Sequence, residues 1–393
     1  MINVEKEYKC FRCGSEKIVR RGKQFNTKKT TWKQRWQCKN CGFKFNERKE
    51  HLVDYEPEPF EYKPKGTTPI DWSKYNEAQL NEKLLFLEIS NDLLNMFEFK
   101  QVKINGRPVK NTKDILFSML IKIYNKNSSR RTIGDLELLK KLGYIQDIPC
   151  FSTLMNYFNN SDFQKVLEKI IELSALPLKE VESDFASDAT GFSSSQFGRW
   201  FDHKWGEEKE KRVYRKLHAM IGVRSNIITH AIVTKQEGRY TGDTSQFREL
   251  VKKTAINFTI KEVSADMAYS SRQNLETIKE LGATPFIPFK KNAKSKGNGS
   301  STWKQMHYYF KQKPQDFFEH YHKRSNVETT FAMIKQKFSG QLLTKNWQAN
   351  TNEILGKCIC HNICCLIKAY YALGVEKTIS TEVLNRERIE VLV

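Results

Sequence analysis

The sequence predicts an α/β fold, with a mixed sheet flanked by helices, preceded by a helical region and a small cysteine-containing module. Three observations favour this fold. From residue 181, strand-like apolar runs and amphipathic segments follow in the order βββαβαβ, and a further helical region comes next. Residues 75–178 carry apolar side chains at i, i+3, i+4 and i+7, which is typical of packed helices. Two CxxC pairs lie near the N-terminus.

The chain is strongly basic. Its 393 residues include 66 Lys and Arg against 45 Asp and Glu, a net charge of +21, and residues 1–50 concentrate this excess with 15 basic and 5 acidic side chains. A lysine-rich solvated surface would give the same totals. The local excess nevertheless favours a polyanionic partner, because each phosphate contact releases counterions. We therefore expect nucleic acid as the partner.

Apolar segments in this chain are short. None approaches the roughly 18 apolar residues of a membrane-spanning helix, and the first residues lack the apolar core of a secretory signal. We therefore expect no membrane contact and a cytoplasmic location, with association with the nucleoid when DNA is bound.

Four cysteines form the two CxxC pairs: Cys10, Cys13, Cys38 and Cys41. Two thiolate pairs at this spacing can close a tetrahedral zinc site, and so small a module needs one because its apolar core is limited. The pattern predicts a zinc ribbon at residues 1–50. Its basic and aromatic surface indicates DNA contact, and a purely structural or protein-binding ribbon is the alternative.

The remaining chain divides by composition. Four prolines predict an extended linker over 51–74. The helical region at 75–180 could bind DNA ends. Within it, 128–158 has a basic turn followed by two short helices, a pattern compatible with a helix-turn-helix DNA reader and equally with plain helical packing. We predict the α/β domain at 181–370 and a C-terminal tail at 371–393.

The other five cysteines lie in apolar segments, and we expect them to be buried: Cys150, Cys358, Cys360, Cys364 and Cys365. His361 lies inside the C-terminal group, "CICHNICC". Its helical, apolar context favours core packing over metal binding.

Three acids lie where this topology can bring them together. Asp188 is towards the end of the first strand of the sheet, Asp266 ends the fourth, and Glu328 is on the late helix. Taken singly, Asp188 could cap the following turn, Asp266 could N-cap the next helix, and Glu328 could be a solvated helix residue. Asp184 is an alternative to Asp188, since it lies four residues earlier on the same strand face. The turn-forming "ATG" that follows favours Asp188.

Clustered carboxylates need cations to stay ionised, and oxygen ligands suit Mg²⁺ or Mn²⁺. Two such ions would activate a nucleophile and stabilise the leaving oxygen in phosphodiester chemistry. The acids therefore predict a metal-dependent site.

The segment "YHKRSNVETTFAMIK" predicts a helix with two functional faces. Tyr321, Arg324, Glu328 and Lys335 fall within a sector of about 60°. An apolar stripe is centred about 80° away and comprises Val327, Phe331, Ile334 and Phe338. We expect the stripe to pack on the sheet and the polar group to lie at its edge. Both bases suit phosphate oxygens, and the tyrosine could stack on a base or bond a phosphate. A solvated face with i,i+4 pairing is the alternative.

The same four polar residues match the pattern Y-x2-R-x3-E-x6-K. On this pattern the chain resembles the insertion-sequence-four superfamily of DDE transposases. The resemblance extends to "ASDATGF" and "ADMAY" around the two aspartates, to "KLHAMIGV" and to "GDTSQF", and it involves residues 110–365. Between Asp266 and Glu328 there are 61 residues, fewer than the large β-rich insertion that some members carry there.

This resemblance implies an RNase H-like catalytic domain. The three acids would be catalytic residues and ligands of Mg²⁺ or Mn²⁺, and the tyrosine and the two bases would contact DNA. The implied reaction is cleavage of double-stranded DNA at the terminal inverted repeats of an insertion element and transfer to target DNA, by at least a dimer on DNA. Two alternatives stay open: a catalytically inactive, domesticated DNA-binding protein, and a nuclease of the same fold that cuts without joining.

Overall fold

The computed structural model describes residues 15–26, 31–46, 70–100, 110–194, 214–235, 242–296, 299–376, 379 and 388–392. The chain forms two compact units, Met1–Phe60 and Glu61–Val393. Within the described part of the chain, no helix is both long and apolar enough to cross a membrane.

The first unit contains a three-stranded antiparallel sheet. Its strands are β1 (Ile18–Asn26), β2 (Thr31–Cys38) and β3 (Lys44–Asn46), with β2 in the centre. The β1–β2 register shifts between Arg20 and Lys23, which marks a local irregularity in the ladder.

A tight turn joins β2 to β3 and carries the second CxxC pair. Cys38 is buried and ends β2, and Cys41 is half-buried in the turn. The Gly42 amide donates to the Cys38 carbonyl at 3.0 Å, and Gly42 has φ +71°, a conformation that favours glycine. Cys10 and Cys13 lie outside the described residues, so the zinc ribbon stays a prediction.

Five helices begin the second unit: α1 (Trp72–Asn95), α2 (Thr112–Tyr124), α3 (Ser129–Lys141), α4 (Phe151–Phe158) and α5 (Asp162–Ala175). The helical periodicity of this region is thus confirmed. Side-chain caps define two of the starts. Asp71 accepts from the amides of Ser73 and Lys74 at 3.1 and 3.2 Å, and Asn111 accepts from the amide of Lys113 at 2.9 Å.

Five strands form the mixed sheet, in the spatial order β7-β6-β5-β8-β9. They are β5 (Asp184–Ser193), β6 (Tyr214–Gly222), β7 (Ile228–Lys235), β8 (Glu262–Ala265) and β9 (Thr284–Phe286). Strands β5, β6 and β7 pair antiparallel, whereas β5, β8 and β9 pair parallel. Helices α6 (Asp243–Asn257) and α7 (Arg272–Glu280) make the crossovers that parallel pairing requires. The predicted mixed sheet with flanking helices is confirmed.

The late region contains four helices: α8 (Ser301–Gln312), α9 (Pro314–Tyr321), α10 (Ser325–Phe338) and α11 (Trp347–Leu373). One continuous helix from residue 321 to residue 335 was expected, and this expectation is wrong. A 3-10 turn, His322–Arg324, joins α9 to α10. A 3-10 turn advances about 120° per residue, whereas an α-helix advances about 100°. Over three residues the turn therefore changes the direction of Tyr321 relative to Glu328 by about 60° from that in a continuous α-helix. The apolar stripe of α10 is buried as predicted.

Helix α11 connects the two parts of the second unit. It contacts α1, α2, α4 and α5 on one side, and β6, β7 and α10 on the other. Its four cysteines are buried as expected, and burial raises the pKa of Cys358, Cys364 and Cys365 to about 12. These thiols are therefore small apolar core groups.

Cys150 differs from the other apolar-segment cysteines. It is exposed at the start of α4, so its predicted burial is wrong. The hydroxyls of Ser152 and Thr153 lie 3.2 and 3.0 Å from its sulfur, and these hydrogen bonds lower the thiol pKa to about 7. The N-cap position explains the exposure, since an N-cap residue lies outside the packed turns.

A short strand, β4 (Phe97–Lys100), interrupts the helical region and pairs parallel with β10 (Ile389–Leu392). The sequence pattern did not predict either strand. Four-residue strands have too few residues to show periodicity, and these two become a sheet only by pairing with a distant segment.

Candidate active site

Asp188 and Asp266 lie beside each other on adjacent parallel strands. The pairing of β5 with β8 sets Ser187 opposite Ala265, and the next residue on each segment is an aspartate. Neighbouring strands lie about 4.8 Å apart, and equivalent positions of parallel strands face the same side of the sheet. Residues far apart in sequence therefore meet at the edge where β8 ends.

A backbone amide orients each of these carboxylates. Asp188 Oδ1 accepts from the Ala189 amide at 2.8 Å, and Asp266 Oδ1 accepts from the Met267 amide at 2.6 Å. Asp266 thereby caps the 3-10 turn Met267–Tyr269 that follows β8. The predicted N-cap role of Asp266 and a role at the site are thus compatible, because capping uses one oxygen of the carboxylate.

Arg324 joins Asp188 to Glu328. Its Nη1 donates to Asp188 Oδ2 at 2.5 Å and its Nη2 donates to Glu328 Oε1 at 2.7 Å. The two nitrogens of one planar guanidinium therefore bind acids from the central strand and from the first turn of α10. The Arg324 side chain is 19% exposed and that of Glu328 is 62% exposed. The strand acid is consequently fixed, whereas the helix acid reaches into solvent.

Tyr321 lies within range of both strand acids. Burial raises the pKa of its hydroxyl, the neighbouring Arg324 opposes this shift, and the carboxylates of Asp266 and Asp188 add to it. The Arg324 guanidinium carbon lies 5.9 Å from the centre of the tyrosine ring. Tyr321 thus lies beside Arg324, close enough to Asp188 and Asp266 for their charges to affect its hydroxyl.

Lys335 contacts the same strand further along. Its Nζ donates to Thr190 Oγ1 at 2.6 Å and lies 5.7 Å from the centre of the Phe192 ring. Thr190 is two residues beyond Asp188, so both side chains face the same side of the sheet. Burial lowers the pKa of Lys335, and Tyr214 opposes that shift. Arg324 and Lys335 therefore both bond side chains of β5, at Asp188 and at Thr190.

Asp184 has a separate ionic partner. Lys323 Nζ donates to Asp184 Oδ2 at 2.6 Å and to Glu262 Oε2 at 2.7 Å. His320 Nδ1 lies 2.8 Å from the same Glu262 oxygen. Asp184 and Glu262 face each other in the β5–β8 register, so Lys323 separates two like charges. This network ties the helical segment before α10 to the starts of both strands.

The three candidate acids carry the oxygen ligands that Mg²⁺ and Mn²⁺ prefer. Among the described residues, however, no three His, Cys, Asp or Glu side chains come within metal-binding distance of one another. The Arg324 guanidinium lies between Asp188 and Glu328 instead. The residue types fit a divalent ion, and binding one between these acids requires Arg324 to leave its position.

Two parts of this arrangement were absent from the sequence prediction. Lys323 is adjacent to Arg324 in sequence, yet it binds Asp184 and Glu262, and no spacing rule relates these three positions. Thr190 belongs to the segment "ATG", for which the sequence pattern predicts only a turn. Its place two residues after Asp188 on a strand was the signal that could have identified it.

Residues 179–363 match the family model of the transposase DDE domain, a span that contains every candidate acid, base and aromatic of this site. A solved structure, the cryo-EM structure of the piggyBac transposase synaptic complex with hairpin DNA, is similar at 11% sequence identity. The similarity covers 78% of each chain, with a TM-score of 0.37. Similarity at this level carries no weight in assigning the fold or the site. The family match supports a DDE transposase.

Proposed function

We propose that this chain is a transposase of the insertion-sequence-four superfamily, with an RNase H-like catalytic domain. It cleaves DNA at the ends of an insertion element and transfers the freed ends to target DNA. The observation that carries this proposal is the fork of Arg324, which joins Asp188 to Glu328 beside Asp266. Two acids separated by most of the domain are joined through one side chain, which supports a shared role.

Asp188, Asp266 and Glu328 are the proposed ligands of Mg²⁺ or Mn²⁺. When bound, such ions activate the attacking hydroxyl and stabilise the leaving oxygen of a phosphodiester. The chain supplies the orientation of the acids. Backbone amides fix the two aspartates, and the exposed Glu328 completes the set from the helix.

Arg324, Lys335 and Tyr321 are the proposed DNA contacts. The guanidinium can exchange its two carboxylates for the two oxygens of a phosphate, because both present the same bidentate geometry. Lys335 has a neutral hydroxyl as its described hydrogen-bond partner, so a phosphate can bind without displacing a carboxylate. The Tyr321 ring lies 5.9 Å from the Arg324 guanidinium carbon, and the charge of Asp266 affects its hydroxyl, which supports a DNA contact beside these groups.

A strand-transfer assay tests the proposal. The purified chain is incubated with Mg²⁺ or Mn²⁺, a duplex that carries one end of the element and a supercoiled target plasmid. Joined products support a transposase. Cleaved ends without joined products favour the nuclease of the same fold, and binding without cleavage favours the inactive DNA-binding protein. Either of these outcomes contradicts the proposal.

We further propose that Cys10, Cys13, Cys38 and Cys41 hold zinc, and that this ribbon and the helical region bind the element ends. The turn between β2 and β3 supports the first part, because it brings Cys38 and Cys41 to the two sides of one tight turn. Pairing two element ends would require at least a dimer on DNA. Metal analysis of the purified chain and of a Cys38→Ser variant tests zinc, and analytical ultracentrifugation with end DNA tests the dimer.

A further inference from the structure

A basic cleft lies next to the candidate site, at the far end of the segment that follows Asp266. It has a volume of about 340 Å³ and is lined by Ser270, Arg272, Lys290, Lys294, Lys296 and Trp303, together with Asn292 and Ala293. The 3-10 turn Met267–Tyr269 leads from Asp266 directly into it. None of the roles proposed above involves these residues.

The charge of the cleft is of one sign. Four of its lining side chains are cationic, and no described residue that lines it is acidic. Among the described residues, Lys290, Lys294 and Lys296 form no ion pair and are exposed. The three lysines have no ion-pair partner among the described residues and repel each other, so an anionic ligand would stabilise the arrangement.

Packing holds the walls of this cleft in place. Arg272 lies over the Trp303 ring at 4.8 Å, and its Nη2 donates to the Lys296 carbonyl at 3.3 Å. Trp303 Nε1 donates to the Lys294 carbonyl at 3.0 Å, and the Ala293 amide donates to the Lys290 carbonyl at 2.8 Å. The loop that carries the lysines is therefore bonded to a buried tryptophan, unlike a set of scattered surface lysines.

The acidic residue Glu276 binds the N-terminal turn of α8 and does not line the cleft. Glu276 on α7 accepts hydrogen bonds from Ser300 and, at 2.8 Å, from Thr302 Oγ1. The hydrogen bond from Ser300 is the main cause that lowers the pKa of Glu276. This acid is consequently occupied in holding α8 against α7, and it leaves the charge of the lysine loop uncompensated.

An unsatisfied hydroxyl lies at the wall nearest the acids. Ser270 Oγ is buried and has no hydrogen-bond partner among the described residues. A buried polar atom without a partner is uncommon in folded proteins and indicates a missing ligand, ion or water. A hydroxyl beside one guanidinium and three ammonium groups matches the hydrogen-bonding needs of a phosphate.

We propose that this cleft binds a backbone phosphate of the DNA that the acids cleave, a few nucleotides from the scissile bond. This inference rests on the proposed function. Ser270 is four positions after Asp266, so their Cα atoms lie at most about 14 Å apart. At about 3.4 Å of helix rise per nucleotide of one strand, this distance corresponds to about four nucleotides. The cleft therefore fixes the direction in which DNA leaves the acids.

The first test measures duplex binding against salt concentration. The variant Lys290→Ala/Lys294→Ala/Lys296→Ala is compared with Lys253→Ala/Lys279→Ala/Lys345→Ala, which removes three exposed lysines from α6, α7 and the loop before α11. Each phosphate contact contributes about 0.9 to the slope of log affinity against log salt. We expect the cleft variant to lower this slope by about 1 to 2 and to weaken low-salt binding by about tenfold, relative to the control.

A second test locates the contact. Single neutral methylphosphonates replace phosphates one at a time in an element-end duplex. The wild-type chain is expected to lose affinity at one or two positions within about four nucleotides of the cleavage site, and the cleft variant is expected to be insensitive there. If the methylphosphonates reduced the affinity of the cleft variant as much as that of the wild-type chain, the two effects would be independent and the proposal would be overturned.

Other outcomes separate the cleft from the function. The wild-type chain could cleave and join DNA while the cleft and control variants show equal salt slopes. That result would overturn the proposed role of the cleft and leave the proposed transposase function intact. A reduced slope in a chain that never cleaves would support the cleft as a DNA site and contradict the transposase. If the cleft variant lost affinity for inorganic pyrophosphate but not for duplex, the ligand would be a free phosphate, and the proposal would be wrong.

Discussion

Arg324 and Asp188 are joined by a 2.5 Å hydrogen bond between a 3-10 turn and the central strand of the sheet. The other arm of the same guanidinium binds Glu328, one helical turn later. The arginine thus lies between two carboxylates that would otherwise repel each other. Its positive charge has the sign that a divalent ion would bring, so we expect the arginine to compete with the proposed ion for the same acids.

Removal of Arg324 should change metal binding and catalysis in opposite directions. Arg324→Ala deletes one positive charge between Asp188 and Glu328, and we expect Mn²⁺ affinity without DNA to rise about tenfold, by about 1.4 kcal/mol. The rate of DNA cleavage should fall by about a hundredfold, because the phosphate loses a bidentate partner. Electron paramagnetic resonance of Mn²⁺ measures the first quantity, and single-turnover cleavage measures the second.

Arg324→Lys is the matched control. It keeps the charge and removes the fork, so we expect metal affinity close to that of the wild-type chain together with slow cleavage. Unchanged metal affinity in Arg324→Ala, or full cleavage by Arg324→Lys, would show that the guanidinium neither competes with the ion nor positions the phosphate.

Lys323 should contribute to stability through Asp184 and Glu262. Lys323→Met leaves these facing acids without their shared cation, and we expect the free energy of unfolding to fall by about 1–2 kcal/mol. The double variant Lys323→Met/Asp184→Asn should recover about half of this loss, since the repulsion is removed. Urea denaturation at neutral pH measures both values. Additive effects of the two substitutions would contradict the network.

Lys335 should act on DNA affinity more than on stability. Lys335→Met keeps the apolar stem that lies against Phe192 and removes the charge, so we expect unfolding to change by less than about 1 kcal/mol. Duplex affinity at low salt should fall by about three- to tenfold, with a salt slope lower by about 0.9. Thr190→Val removes the hydrogen-bond acceptor without a change in charge, and it should leave the slope unchanged. A steep slope retained by Lys335→Met would mean that the lysine contacts no phosphate.

His361 should make the fold sensitive to acid. Burial lowers its pKa to about 4 in the folded chain, and its Nε2 lies 2.9 Å from the Asn226 carbonyl. The unfolded chain, with a pKa near 6.5, takes up the proton first, so stability is unaffected above that pH and falls as the pH drops towards 4. The shift corresponds to about 3 kcal/mol.

A comparison of the wild-type chain with His361→Gln isolates the contribution of His361 to the pH dependence of stability, because the other histidines are present in both proteins. We expect the wild-type chain to lose about 3 kcal/mol more than the variant between neutral pH and pH 4. Parallel stability curves for the two proteins would mean that His361 has the same pKa in the folded and unfolded chains, which would contradict this prediction.

The sheet and the positions of the strand acids could be predicted because their signals are local. The strand that contains Asp188, the strand end at Asp266 and the apolar stripe of α10 each show within a short window of sequence. The 3-10 turn at Arg324 could not be predicted, since it replaces only one helical turn and keeps the residues in a helical pattern.

Contacts between distant segments account for the rest. The bonds of Lys323 to Asp184 and Glu262, and the pairing of β4 with β10, depend on how completed elements pack. The cleft at Ser270 and Trp303 likewise forms only when α7, the lysine loop and α8 are assembled. Composition showed that phosphate-binding cations exist in this chain, but not which of them converge.

The most direct measurement of the central claim is metal-dependent cleavage of an element-end duplex by single acid variants. Asp188→Asn, Asp266→Asn and Glu328→Gln keep the side-chain shape and remove one charge each. Because metal stabilisation of the reacting oxygens is worth several kcal/mol, each should slow cleavage by about a thousandfold or more. Asp184→Asn, on the same strand face, should stay within about tenfold of the wild-type rate. Wild-type cleavage by any of the three variants, or a loss of cleavage in Asp184→Asn that Asp188→Asn does not share, would contradict the assignment of the site.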